Sequence, residues 1–343
     1  MPDNIAANLL VWYDANARDL PWRARPGAPA PDPYRVWLSE VMLQQTQVAT
    51  VKPYFEKFVA RWPSFAALAA AEDADVMAAW AGLGYYARAR NMLACARVAA
   101  VNGLPDTEAA LLRLPGVGGY TAAAIAAIAF GRRAVVVDAN VERVVARLFA
   151  VAEPLPGAKA RIKALTESVT PDDRSGDFAQ EMMDLGSGIC TARSPRCLLC
   201  PLRQDCAGFA GGAPEDFPVK AAKAARPHRY GTMFWVERGD AVLLVRRPDK
   251  GLLGGMRALP TGPWATTPPG LADAPVDAPW QMQNLTVTHG FTHFTLECAL
   301  AAATIAEHAH ADGEWWPIAG IESAGLPTVF AKAAAIFGRE RCE

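Results

Sequence analysis

Two carboxylates and four cysteines carry the chemistry this sequence could perform. Glu40 lies in the run Trp37-Leu-Ser-Glu40-Val-Met-Leu-Gln-Gln, and its neighbours at helical spacing are Val36, Trp37, Leu43 and Gln44. A carboxyl group buried there without a cation has a raised pKa and keeps its proton near neutrality. Turned to solvent at the edge of the face, the same residue is an ordinary surface acid; periodicity leaves both open. Asp138 follows Val135-Val-Val and precedes a helical run whose apolar face is Val141, Val144, Val145, Leu148 and Phe149, so it stands where an N-cap stands. Capping alone accounts for an Asp there, and the first helical N–H groups would hold it ionised. One protonated and one ionised carboxyl group are what cleavage of a glycosidic bond through an oxocarbenium-like state uses. Whether the two face each other is a question for the tertiary structure.

The cysteines follow the pattern Cys190-x6-Cys197-x2-Cys200-x5-Cys206, while Cys95, Cys298 and Cys342 are scattered. Four thiolates so close in sequence can fill a tetrahedral ion site or hold a cubane cluster. Zinc is the alternative, but structural zinc sites pair two short Cys-x2-4-Cys knuckles across a longer gap, and only one such knuckle is present. The spacing favours one [4Fe–4S] cluster per chain.

A third feature joins these groups. Leu114-Pro-Gly116-Val-Gly118-Gly-Tyr120 separates a helix start at Asp106 or Thr107 from an Ala/Ile run, Thr121 to Phe130, that stops at Gly131. In such a helix, turn and helix, Gly116 and Gly118 let the backbone approach another body, and the free N–H groups of the second helix favour an anion such as a DNA phosphate. A plain connection between helices has the same appearance.

These residues must be positioned by a chain of 343 residues, long enough for two domains with separate cores. Formal charge is −1, which excludes a global basic field and leaves any nucleic-acid surface to a local patch. No apolar run reaches the roughly 20 residues needed to cross a bilayer, and no export signal is apparent, so a cytoplasmic location without membrane contact is expected. Helical periodicity fills the first part. Asp32-Pro33 starts a helix expected from Tyr34 to about Thr50, and others are expected over 64–71, 73–82 and 85–102. Leu83-Gly-Tyr85-Tyr86 interrupts two of them, followed by Arg88, Arg90 and Arg97, a setting that suits an aromatic wedge in a base stack or simply a solvated surface. The expected organisation is an all-α unit over 1–210, a Pro/Gly/Lys-containing linker over 211–227 and an α+β unit over 228–343. A hairpin around Arg238-Gly-Asp240, a strand from Phe291 to Leu300, a strand at Trp315-Trp316 and a final helix from Leu326 to Phe337 make up the last unit.

With these motifs assembled, the chain resembles the adenine DNA glycosylases (MutY) of the helix-hairpin-helix, endonuclease III-like superfamily. Trp37 to Val48, Gly82 to Asn91, Leu114 to Gly118, Asp138-Ala-Asn140 and the four-cysteine spacing occur in that family's order and cover roughly Leu9 to Cys206. The resemblance implies an all-α helix-hairpin-helix domain with an iron–sulfur loop. It also implies excision of adenine opposite 8-oxoguanine or guanine in double-stranded DNA after base flipping, by a monomer. It makes Glu40 the acid that protonates adenine N7 and Asp138 the group that stabilises or bonds to the sugar cation, supported by Tyr120 and Asn140. Trp22, Arg23 and Gln180 then lie at the adenine pocket, and Gln45, Thr46, Leu83 and Tyr85 hold or wedge the opposite base. Relatives that cleave the strand place a lysine at position 120; tyrosine there implies a glycosylase without an efficient lyase step. The chain departs from the family at Ala139, where glycine is usual. If that backbone required positive φ, alanine would cost about 1 kcal/mol.

Arg246 to Met256 resembles, more loosely, the Nudix-like recognition domain that ends such proteins, and Phe291-Thr292-His293 matches its 8-oxoguanine-reading loop. No Glu occurs between Arg238 and Leu296, so the clustered glutamates of a pyrophosphate hydrolase are missing. Two other readings remain: a lyase-type endonuclease III for damaged pyrimidines, which Tyr120 opposes, and a non-catalytic iron–sulfur DNA-binding protein, which has no use for Glu40 together with Asp138.

Overall fold

The computed structural model describes residues 2–221, 226–248, 251–291 and 293–340, in two compact units, Met1–Ala222 and Lys223–Glu343. The first unit is helical: α1 Pro2–Asn16, α2 Pro33–Leu43, α3 Val48–Arg61, α4 Phe65–Ala69, α5 Asp73–Trp80, α6 Tyr86–Asn102, α7 Glu108–Leu111, α8 Gly119–Phe130, α9 Ala139–Leu148, α10 Lys159–Val169, α11 Ser175–Gly188 and α12 Ala207–Ala210. Two apolar clusters hold it. One gathers Trp37, Phe55, Phe58, Trp80 and the alanines of α8; the other gathers Leu9, Val141, Val145, Ile162 and Phe178.

α2 starts where Asp32 Oδ1 accepts from the Tyr34 amide (2.9 Å) with Pro33 in the first turn. It ends at Leu43, short of the expected Thr50. The guanidinium of Arg88, buried and lying over the Trp80 ring, donates to the carbonyls of Met42 and Gln44, and Gln45 takes a left-handed φ of 57°. A side chain forty residues away thus ends the helix, and the chain restarts at Val48. α8 is buried on every side from Thr121 to Ala129, which its small residues permit. Gly176 of α11 lies so close that a Cβ there would meet the Ala127 carbonyl oxygen at 2.4 Å. Gly131, at φ 62°, closes α8.

The expected linker is only partly a linker. Residues 211–221 belong to the first unit: Phe217 packs into its second cluster and accepts at its carbonyl from Arg147 Nε (3.0 Å), and Leu155 pairs with Val219 and Ala221. The boundary therefore falls near residue 222 rather than 210.

In the second unit, β1 His228–Arg238, β2 Ala241–Arg246, β3 Arg257–Ala258, β4 Gln281–Gly290, β5 Thr295–Thr304 and β6 Glu314–Pro317 form a sheet of order β3-β2-β1-β5-β4, with β6 pairing β2. β1 and β5 run parallel, and the helix α13 Thr328–Glu340 stacks Phe337 on Trp235 (5.0 Å). The hairpin turn at Gly239 lies where expected. The strand expected from Phe291 begins only at Thr295; just before it, the Phe291 amide donates to the Phe294 carbonyl (2.9 Å).

Candidate active site

Glu40, in the middle of α2, is 5% exposed, so the buried alternative holds. Its Oε2 has no hydrogen-bond partner among the described residues. Burial pushes the carboxyl group up to about 7, with the Tyr120 hydroxyl and the charge of Arg23 drawing it down and Asp138 adding a smaller upward push. The acid thus holds a proton near neutrality and keeps one oxygen uncommitted. Tyr120, in the first turn of α8, directs its hydroxyl to Met183 Sδ of α11 (3.6 Å) as well as acting on Glu40, and burial above all, with the charges of Glu40 and Asp138, raises the phenol well above its usual range.

Asp138 caps α9. Its Oδ1 accepts from the amides of Asn140 (2.9 Å) and Val141 (2.7 Å), and its Oδ2 accepts from Asn140 Nδ2 (2.8 Å). The charge of Asp138 is among those acting on Glu40, so the structure brings the two carboxyl groups into one site. Ala139 is not among the residues with positive φ, so glycine is not needed there and the expected strain is absent.

Asn140 is held in turn. Its Oδ1 accepts from Arg143 Nη2 (2.9 Å), which also donates to the Gly186 carbonyl (2.6 Å), while Arg143 Nε donates to the Cys190 carbonyl (2.8 Å). A Cβ on Gly186 would lie 2.6 Å from Asn140 Cβ, so glycine alone lets α11 approach this closely. Sequence reasoning did not find Arg143; its signal is a cation one turn after a capping Asp.

Cys190, Cys197, Cys200 and Cys206 line one small cavity with Arg147, Ile189 and Phe209. Among the described residues no group of three or more His, Cys, Asp or Glu is placed to hold a single metal ion, although the four thiols line the same cavity. Their setting fits an anionic thiolate cluster. Arg147 is 2% exposed and places Nη1 3.3 Å from Cys190 Sγ, and burial pushes the Cys200 thiol up to about 11, so its thiolate form calls for the charge of bound metal.

The remaining expected residues divide. Trp22 is buried edge-on against Phe55 (5.1 Å), Arg23 is mostly buried, and Gln180 is 6% exposed on α11. Gln45 and Tyr85 are exposed, Tyr85 in left-handed conformation, and Thr46 takes a bond from Arg88 (3.1 Å). Gly116 (φ 73°) and Gly118 are exposed in the turn before α8. Leu83 is buried in the core. In the second unit His293 is exposed, and Thr292 lies outside the described residues. Phe291 stacks on Trp264 (5.3 Å) and packs against Phe294 (4.9 Å), so its ring is engaged in the fold.

Residues 38–171 match the HhH-GPD superfamily base excision DNA repair proteins, 190–206 the iron–sulfur binding domain of endonuclease III and 232–335 the NUDIX domain. The structure of a thermostable thymine-DNA glycosylase is similar at TM-score 0.55 and 30% identity over 61% of this chain and 97% of that one. The fold and site are those of a helix-hairpin-helix base excision glycosylase with an endonuclease III-type iron–sulfur motif. The adenine DNA glycosylase of Mycolicibacterium smegmatis is 43% identical over 60% of this chain and 70% of its own length. Those of Arabidopsis thaliana and Homo sapiens are 38% and 36% identical over 75% of this chain, which spans 47% and 57% of their lengths. The chain belongs to the adenine DNA glycosylase family.

Proposed function

We propose that the chain binds double-stranded DNA as a monomer, in the cytoplasm, and hydrolyses the N-glycosidic bond of an adenine paired with 8-oxoguanine or guanine after the adenine is flipped out. The observation that carries this is Glu40, a buried acid poised at about 7 with an unpartnered oxygen, beside the capped Asp138. Glu40 gives its proton to adenine N7, the glycosidic electron pair leaves with the base, and Asp138 faces the positive charge left on the sugar. Asn140 and Tyr120 hold the two acids in register. The Glu40 carboxylate then takes a proton from water as it adds to the sugar, leaving an abasic site. Trp22, Arg23 and Gln180 surround the base, and the Gly116–Gly118 turn grips a phosphate through backbone N–H groups.

Cys190, Cys197, Cys200 and Cys206 would hold the [4Fe–4S] cluster, which when bound supplies a rigid tie across this loop. Tyr120 offers no amine for a Schiff base, so strand cleavage does not follow base loss. The hydroxyl of Thr292 and the imidazole of the exposed His293 are assigned to the edge where 8-oxoguanine carries an N7–H and a C8 oxygen that guanine lacks, with Phe291 as the pedestal of their loop.

A duplex with a single adenine opposite 8-oxoguanine tests the reading. Strand breaks are expected only after alkali treatment. Breaks before alkali would show a lyase, and intact adenine would reduce the chain to a DNA-binding protein.

A further inference from the structure

Asp184 is a buried carboxylate outside the groups described above. It lies on α11 four residues after Gln180, on the same helical face, next to the Met183 that receives the Tyr120 hydroxyl. Its side chain is 2% exposed, and two arginines converge on it. Arg23 binds it bidentately through Nη1 (2.6 Å) and Nη2 (3.0 Å), and Arg18 donates from Nε (2.6 Å) and Nη2 (2.5 Å). Arg23 is itself buried at its side chain, whereas Arg18 is 37% exposed. One carboxylate therefore faces two guanidinium groups at the end of α11 that borders the site, leaving an excess of one positive charge.

We infer that Asp184 is a positioning residue for the reaction: it clamps Arg23 at the base pocket and cancels part of the arginine charge that reaches Glu40. This rests on the glycosylase reading of the site. Acting on Glu40 are Tyr120 from α8, Arg23 from the loop after α1 and Asp138 ahead of α9. Arg88 of α6 is engaged with carbonyls at the C-terminal end of α2, and the charged residues of α3 are exposed. Arg23 is thus the cation among the groups acting on Glu40, and Asp184 is its direct counterion.

The charge balance has a sign that simple support of the fold does not. Asp184→Asn keeps the shape of the clamp but leaves the arginines uncompensated, so Glu40 loses its proton more readily. Removing the exposed Arg18 instead leaves Asp184 to screen Arg23 more completely, and Glu40 holds its proton more tightly. Single-turnover excision of adenine opposite 8-oxoguanine, at saturating enzyme from pH 5.5 to 9, reads this directly. The alkaline limb of the parent is expected near the Glu40 value of about 7. Asp184→Asn should move it to lower pH by roughly half a unit or more, Arg18→Met should move it to higher pH, and Asp184→Glu should restore the parent limb.

Limbs that stay in place while rates or melting temperatures fall would make Asp184 a structural clamp only, and shifts of the same sign in both variants would also overturn the inference. If Asp184→Asn does not fold, the Arg18→Met limb still decides: unmoved or lowered, it sinks the assignment. A parent with no base loss at any pH would sink the glycosylase reading itself, and this inference with it.

Discussion

Replacing Glu40 by glutamine should abolish excision while making the protein more stable, and the structure gives both magnitudes. At an ordinary carboxyl value of 4.5, about one molecule in 300 would carry the proton at pH 7; at about 7 about half do. Burial therefore enlarges the population of the competent acid by about 150-fold. Glutamine removes the proton donor and the later base at nearly constant volume. General acid–base catalysis contributes typically about 10²–10⁴-fold, and a residue serving both steps should sit at or beyond the top of that range. The cost of keeping this acid buried follows from the same shift. A folded-state value raised from 4.5 to about 7 contributes stability that is fully present below pH 4.5 and lost as pH rises through 7. At pH 8 the ionised, buried carboxylate costs about 3 kcal/mol by this linkage, which the neutral amide avoids. Denaturant titrations of parent and Glu40→Gln at pH 5 and pH 8, beside single-turnover excision, measure both quantities. A variant that excises within about tenfold of the parent, or whose stability gain is no larger at pH 8 than at pH 5, would refute the assignment of the poised acid to Glu40.

Other outcomes follow from single features. Glu181, fully buried with both carboxyl oxygens unpartnered among the described residues and pushed up to about 9 by burial, should lose folding stability as pH rises from 4.5 to 9; Glu181→Gln should flatten that dependence in pH-resolved melting curves and leave excision intact. Gly186→Ala places a methyl group against Asn140 and should displace the cap that holds Asp138, lowering the single-turnover rate by about tenfold or more with little change in DNA affinity by gel shift. The purified protein should be brown, with broad absorbance near ~400 nm and about four irons per chain by elemental analysis; a colourless preparation containing zinc would contradict the cluster.

Much of the site was legible in local sequence. The Asp138 cap, the glycine stop of α8 and the cysteine spacing are set by interactions within a few residues, where backbone N–H groups, φ preferences and thiol separation are properties of the chain itself. Glu40 was ambiguous because its helix face could have met either water or protein, and only the packing of α8 against α2 buries it and brings Tyr120 to it. The same limit hid the end of α2 at Leu43, which Arg88 imposes from another helix, and the anchoring of Phe291, which depends on Trp264 nearly thirty residues earlier. Asp184 had no signature of its own, and Arg143 only that of a cation one turn after a capping Asp, since a charged residue on a helix reads as solvated until another element covers it. The residue types and their order specify the chemistry. Which charges are desolvated, and against which partners, is decided by long-range packing, because burial and Coulomb interaction depend on distances that local periodicity does not contain.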